Sequence, residues 1–279
     1  MNATVCCRTG VASDPGQLRE KNEDRVYADE SAGIFLVVDG IGGRAAGEMA
    51  AQTAVDVIAR YLQDSEGDVS GAITAANNEI YRLAEEREEW RGMACVLTLA
   101  VAHEDRITVG HVGDSRLYLI WNGTLRKITS DHSLVGELED RGTLSEAEAM
   151  AHPKRNEVFR DVGSRPRDAQ DAEFIEIKTF PFRPGAALLL CTDGLSDMLT
   201  AVEINTIVQR YPGDPVAVAR ELVDAANFAG GKDNISVIFV AGPEFLGESR
   251  ARNSITQVRE VRSWWRRLLN RLGQFIERH

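Results

Sequence analysis

The stretch "FLVVDGIGGRAAGE", residues 35 to 48, decides how this chain is to be read. An apolar run ends on Asp39, passes through Gly40, Gly42 and Gly43, and opens into a segment of helical periodicity. A strand that leads through glycines into a helix is one way to build a phosphate cradle. An acid at the strand's last position is one way to hold a metal. The pattern "GIGGRA", residues 40 to 45, fits G-x-G-x-x-G/A, but that match is short and common. A dinucleotide fold needs a second strand after the helix. Here the helical stretch 44–64 is followed by another, 69–90. An acid directly before the first glycine would also crowd a pyrophosphate with like charge. The dinucleotide reading fails on context.

The metal reading gains from acids placed like Asp39. Asp114 closes "ITVGHVGDSR" and Asp193 closes "ALLLCTDG", each beside a glycine that permits close approach. Glu23 and Asp24 stand before "RVYAD", and Asp233 before "NISVIFV". Acids that end some strands and begin others meet at one sheet edge only if those strands run antiparallel. The strand-like runs support that arrangement. "CVLTLAVAHEDRITVGHVGDSRLYLIWNGTLRKI" reads as consecutive strands, with turns at 103–105 and at Asn122-Gly123, a strong hairpin signal. Further strands are read in "AEFIEIKTF", "AALLLCTDG" and "ISVIFVAG", and further helices at 200–210 and 214–229. The fold class that follows is α+β, antiparallel sheets with helices on their outer faces. From Asp131 to Arg167 the chain turns polar, with short helical signals in "SLVGELEDRG" and "LSEAEAMAHP", and reads as an excursion from the sheet. A carboxylate cluster repels itself unless neutralised. Its hard oxygens suit Mg²⁺ or Mn²⁺ rather than Zn²⁺, and no cysteine or histidine pattern competes.

A chain of 279 residues, 43% hydrophobic and 27% charged, has the composition of an ordinary globular protein. No window carries an uncharged apolar run of membrane-spanning length, about 18 residues. "MNATVCCRTG" lacks the apolar core of a secretory signal, so a cytoplasmic location is expected. Cys6, Cys7, Cys95 and Cys191 show neither ligand spacing nor a disulfide framework, and read as reduced thiols. The net charge of −11 divides unevenly: residues 248–279 carry eight arginines against three glutamates, and residues 1–247 carry 24 basic against 40 acidic groups. Such an acidic body argues against nucleic acid as a partner.

Taken in order, "REKNEDRVYAD", "VVDGIGGRAAGE", "VGHVGDSRLYL", "ITSDHSLVGEL", "LLLCTDGLSDML" and "GGKDNISVIFV" resemble the motifs of the metal-dependent protein phosphatases of type 2C, in their bacterial single-domain form. The resemblance implies a central antiparallel β-sandwich flanked by helices in α-β-β-α order, with a small flap subdomain at about 131–168 within a domain spanning 1–247. It implies a dinuclear Mn²⁺ or Mg²⁺ site. By the same resemblance Asp39 is expected to bridge both ions and the Gly40 carbonyl to bind one, with Asp193 and Asp233 binding the other. Glu23 and Asp24 are expected to support the site, and Asp114 matches the family acid that helps hold a third, looser ion. Arg19, in "RxxNED", matches the arginine that grips the phosphoryl group through a bidentate fork. Two metals about 3.5–4 Å apart can lower the pKa of a bridging water and stabilise an in-line displacement. The expected activity is hydrolysis of phosphoserine and phosphothreonine in proteins, the substrates being supplied by a Ser/Thr kinase. The rival reading is a non-catalytic phosphoprotein-binding or regulatory module on the same fold. An intact Asp39, Asp193 and Asp233 argues against it.

The chain departs from the family pattern in places. Ile41 stands where eukaryotic members carry a histidine proposed as general acid, so no acid is assigned there. Arg44 stands where a histidine is usual, and "GMACVLTLA" lacks the usual Gly-Thr-Thr near Ala94 to Val96. His132 and His152 read as structural. Outside the resemblance, Val258, Val261, Trp265, Leu268, Leu272 and Phe275 recur at helical steps, with arginines largely off that stripe. Residues 248–279 therefore read as a basic amphipathic helix that docks on its own acidic body, on a partner, or on an anionic membrane surface.

Overall fold

The structure is a computed structural model that describes residues 7–42, 46–65, 67–168, 171 and 173–247. Strand β3 (Ile34–Ile41) shows how its layers form. Its side chains alternate: Ile34, Leu36 and Val38 pack beneath helices, while Phe35 and Val37 enter a second apolar layer shared with another sheet. Burial on both faces explains the unbroken apolar run. Asp39 continues the Phe35–Val37 face, so the alternation aims it at the open end between the sheets.

The other elements, in chain order, are β1 (Arg8–Asp14), β2 (Arg25–Asp29), α1 (Ala46–Asp64), α2 (Val69–Glu86), β4 (Ala94–His103), β5 (Arg106–Val112), β6 (Arg116–Trp121) and β7 (Thr124–Lys127). Then follow α3 (Leu134–Asp140), α4 (Glu146–Met150), β8 (Glu176–Pro181), β9 (Ala187–Cys191), α5 (Asp193–Ser196), α6 (Ala201–Gln209), α7 (Pro215–Phe228) and β10 (Ile235–Ala241). They form two five-stranded sheets, ordered β1-β10-β9-β6-β7 and β2-β3-β4-β5-β8, with every neighbouring pair antiparallel. α1 and α2 cover one sheet, and α6 and α7 the other. This is the α-β-β-α sandwich. Helix starts are fixed locally: Ser145 and Thr200 form capping boxes with Glu148 and Glu203, and Asp214 caps α7 ahead of Pro215. Each such cap contributes about 1 kcal/mol.

Helices α3 and α4 lie in the polar excursion between β7 and β8. Its base is pinned by Arg116, which donates to Asp131 through Nε and Nη2, the latter at 2.6 Å, and to Glu139 at 2.8 Å. Several sequence expectations need correction. β1 was not expected, because its half-exposed residues lack an apolar pattern; it is the edge strand of its sheet and pairs antiparallel with β10. The helix read as 69–90 ends at Glu86, with a short 3₁₀ turn at Glu88–Trp90. The strand read in "AEFIEIKTF" begins only at Glu176. Asp193 opens α5 rather than ending a strand. The amphipathic helix expected over 248–279, together with Gly43 and Arg44, lies outside the described residues.

Candidate active site

Antiparallel register gathers the acids. β2 begins beside the end of β3, with Arg25 opposite Val38, and β9 ends beside the start of β10, with Cys191 opposite Val237. Asp24, Asp39, Asp193 and Asp233 therefore share one end of the sandwich. Asp114 reaches the same end from the close of β5, where Val112 is opposite Leu97. A cleft of about 940 Å³ opens there. Arg19, Glu23, Asp39, Gly40, Asp114, Asp193 and Asp233 all line it. Of the residues expected at the site, only Asp24 stands behind the wall. It is buried, with Oδ2 accepting from Thr192 Oγ1 at 2.9 Å.

Close approach is built into the backbone. A Cβ on Gly40 would lie 2.3 Å from the Gly47 carbonyl oxygen and 2.9 Å from that of Glu23. On Gly194 it would lie 2.0 Å from the Asn234 carbonyl oxygen. Glycine lets the first turn of α1 and the turn before β10 press against the acid-bearing loops.

The electrostatics are those of an anionic cluster. Burial, then the charges of Asp24, Asp193, Asp114 and Asp233, hold the Asp39 carboxyl well above the usual range. Burial, then Asp193 and Asp131, does the same to Asp114. Burial reinforced by Asp193 and Asp233 pushes Asp24 up to about 7, and burial reinforced by Asp233 pushes Asp193 to about 6. Asp24 Oδ1 and Asp193 Oδ1 are buried without a hydrogen-bond partner. Unsatisfied buried carboxylate oxygens are costly, and a coordinated cation removes that cost. Oxygen donors crowded without thiolate or imidazole fit Mg²⁺ or Mn²⁺. Among the described residues Arg19 is the cation ion-paired to this cluster at the cleft, with Nη2 2.7 Å from Asp233 Oδ2.

Residues not anticipated complete the site. Asn234 accepts from Glu23 N at 2.8 Å and donates to the Lys21 and Pro15 carbonyls, tying the Arg19–Asp24 loop to β10. Asp197, four residues after Asp193 on the same turn of helix, faces a small void of about 20 Å³ with Asp114 and Asp193. The spacing of Asp193 and Asp197 was visible, but "TDG" read as a strand end hid its helical meaning. A different group, His111, His132 and Glu176, also clusters within 4.8 Å. It reads as a brace and not a metal site: Thr98 and Ser130 engage His111, and Lys178 and the Ser130 N–H engage Glu176. In place of the expected hydroxyls, Cys95 and Val96 lie opposite Gly40 and Asp39.

Clustered carboxylates with an arginine at the mouth of one cleft define a metal-dependent phosphoryl-transfer hydrolase. The family model for protein phosphatase 2C matches residues 19–221. The serine/threonine phosphatase stp of Listeria monocytogenes is 34% identical over 248 residues, covering 82% of this chain and 93% of that one. The serine/threonine protein phosphatase PstP of Mycobacterium tuberculosis is 35% identical over 242 residues, covering 84% of this chain and 45% of that one. The crystal structure of the Mycobacterium tuberculosis phosphatase PstP superposes with a TM-score of 0.75 at 32% identity, covering 84% of this chain and 98% of that one. A structure of the PstP catalytic domain in complex with two manganese ions gives 0.73, at 32% identity and coverage of 84% and 97%. The chain belongs to the protein phosphatase 2C family.

Proposed function

We propose that this chain hydrolyses phosphoserine and phosphothreonine in proteins, with Asp39, the Gly40 carbonyl, Asp193 and Asp233 holding two Mn²⁺ or Mg²⁺ ions. Glu23 and Asp24 support that site, and Asp114 helps hold a third ion. The observation that carries this reading is the convergence of Arg19, Asp39, Asp114, Asp193 and Asp233 on one cleft. When bound, the metal pair supplies a water of lowered pKa and neutralises phosphoryl oxygens. The rest is the chain's own work. Arg19, more than half exposed and tethered through one nitrogen to Asp233, presents its remaining donors to the cleft, where a phosphoryl group takes two of them. Thr192 and Asn234 fix the acids behind it. Ile41 offers no proton to the leaving alkoxide. The substrate is the product of a Ser/Thr kinase, since only such a reaction makes these esters in proteins. The arginine-rich residues 248–279 give the enzyme a means of resting on an anionic surface.

The deciding experiment is hydrolysis of a phosphothreonine peptide with Mn²⁺, with chelator, and with Asp39→Asn. Turnover that needs Mn²⁺ and is lost in the variant is expected. Folded protein inactive in saturating Mn²⁺ would favour the binding-module alternative.

A further inference from the structure

A second groove, of about 350 Å³, lies beside the cleft. Asn156, Glu157 and Val158 line the cleft, and the next residues, Phe159 and Arg160, line the groove with Arg165, Pro166 and Arg167. The two are successive stations along one segment, held by the pairing of Val158 with Ser133 and by Phe159 N donating to the His132 carbonyl at 2.9 Å. At about 3.3 Å per extended residue, Val158 and Arg160 are about 7 Å apart. A bound peptide would thus carry side chains about two to four positions from its phosphoresidue over the groove.

Charge sets this segment apart. Residues 152–167 carry five basic groups against two acidic ones, on a body of 24 basic and 40 acidic. Arg167 is already engaged, by Asp171 at 2.8 Å and over the Phe174 ring at 4.4 Å. Asp168, Asp171 and Glu173 close the groove at that far side. Arg160 and Arg165 form no ion pair among the described residues; Arg160 lies over the Phe159 ring at 5.9 Å, and Arg165 acts on Asp171 only through its charge.

Arg160 also has a neighbour that does not suit it. His132 Nδ1 accepts from the Gly113 N–H at 3.1 Å, so the single proton of the neutral ring sits on Nε2. That N–H faces Arg160 Nη1 at 3.3 Å, donor against donor. Burial, then the charges of His111 and Arg160, push His132 down to about 3, so the ring stays neutral. An acceptor placed against Arg160 from the groove would give its guanidinium the partner that His132 does not.

We propose that the groove at Phe159, Arg160 and Arg165 is a docking subsite that selects phosphoproteins bearing an anionic side chain near the phosphoresidue. It rests on the phosphatase reading above. The chain's own residues 248–279 are the wrong occupant, with eight arginines against three glutamates. An acidic stretch of the substrate is the right one. Aspartate, glutamate and a second phosphate share the required chemistry.

The test uses the full-length, Mn²⁺-loaded protein and phosphothreonine peptides of equal length: one with acidic flanks, one with neutral flanks, one with a second phosphoserine. The acidic peptide should be preferred by about tenfold in kcat/KM, carried by KM, as one charge-assisted hydrogen bond provides. The preference should shrink at high salt. Arg165→Glu, on an exposed side chain, should abolish it, and Arg160→Gln should reduce it. A still larger preference for the doubly phosphorylated peptide would support the subsite with phosphate as its better ligand. Equal kcat/KM for acidic and neutral peptides, or a preference that survives Arg165→Glu, overturns the proposal. Hydrolysis of p-nitrophenyl phosphate by the unaltered protein reports separately on the phosphatase reading. If it proceeds while the peptides are not distinguished, the docking subsite alone is wrong.

Discussion

Arg155 Nη2 lies 2.7 Å from Asp197 Oδ2, and this pair joins the loop after α4 to the helical turn that carries Asp193. Both side chains are mostly buried, and Arg155 also donates to the Met150 carbonyl at 3.1 Å. Burial, then Asp193, nevertheless pushes Asp197 up to about 8. Removing the arginine takes its ion-pair partner from Asp197, which faces Asp114 and Asp193 across a small void that Arg116 also lines. Arg155→Gln should therefore destabilise the protein in chelator by about 1–3 kcal/mol. The same change frees Asp197 for a divalent ion. The rise in Tm on adding Mn²⁺ should be larger in the variant than in the parent. Equal rises would mean that Arg155 and the metals do not share this carboxylate.

Arg19 is held by Asp233 at 2.7 Å while its side chain remains more than half exposed. A residue tethered at one nitrogen and open at the others is pre-positioned to fork onto a phosphoryl group. Arg19→Lys keeps the charge and loses the fork, so it is not a conservative change here. It should reduce kcat/KM on a phosphothreonine peptide by about one to two orders of magnitude, the worth of a charge-assisted bond. The Mn²⁺ concentration giving half-maximal activity should stay within about twofold, a ratio set by the carboxylates. A large shift in that concentration with unchanged KM would reassign Arg19 to holding Asp233.

Much of this architecture was legible because Asp39, Asp193 and Asp233 each sit where an apolar strand meets a turn, and a period-two pattern fixes which way the strand faces. Asn122-Gly123 announced the β6–β7 hairpin in the same way. β1 was not legible: "RTGVASD" carries its stability in backbone pairing with β10, not in an apolar face. Asp197 and Asn234 were missed for a related reason. Their roles come from what the fold brings to them, Arg155 in one case and the Glu23 N–H in the other. Local pattern records a residue's own preferences and not its distant partners.

The raised carboxylates give stability a pH dependence of definite sign. Asp24 is pushed up to about 7 and Asp197 to about 8 by burial first and neighbouring aspartates second. An unfolded carboxylate titrates at about 4, so the folded chain keeps protons that the unfolded chain has released. Stability in chelator then falls as pH rises, by about 1.4 kcal/mol per pH unit for each proton retained, until the folded pKa is passed. His111 and His132, both held low by burial, act in the opposite direction, but their contribution is complete above about pH 6.5. Between about pH 6.5 and about pH 8.5 the carboxylates act alone. The Tm in chelator should fall across that window. In saturating Mn²⁺ the fall should vanish, because metal binding strengthens as its ligands deprotonate. A chelator Tm that held or rose across the window would show these acids to be ionised without a cation.

The sharpest test of the backbone's part is Gly47. A Cβ there would lie 2.3 Å from Glu23 Oε2 and 2.8 Å from the Gly40 carbonyl oxygen. Glu23 has a flexible side chain that can swing aside; the Gly40 carbonyl is backbone at the end of a central strand and cannot. Gly47→Ala adds only a methyl group, at the second residue of α1, where alanine has the higher helix propensity. Propensity alone would raise stability by somewhat under about 1 kcal/mol. The clash instead displaces either the Gly40 carbonyl or the start of α1. Mn²⁺ affinity should then fall by about tenfold or more, as it does when groups orienting a ligand are lost. Measured calorimetrically, that loss should appear with the far-ultraviolet circular dichroism of the parent. A variant that gained stability and bound Mn²⁺ as tightly as the parent would show that the Gly40 carbonyl does not face the metals.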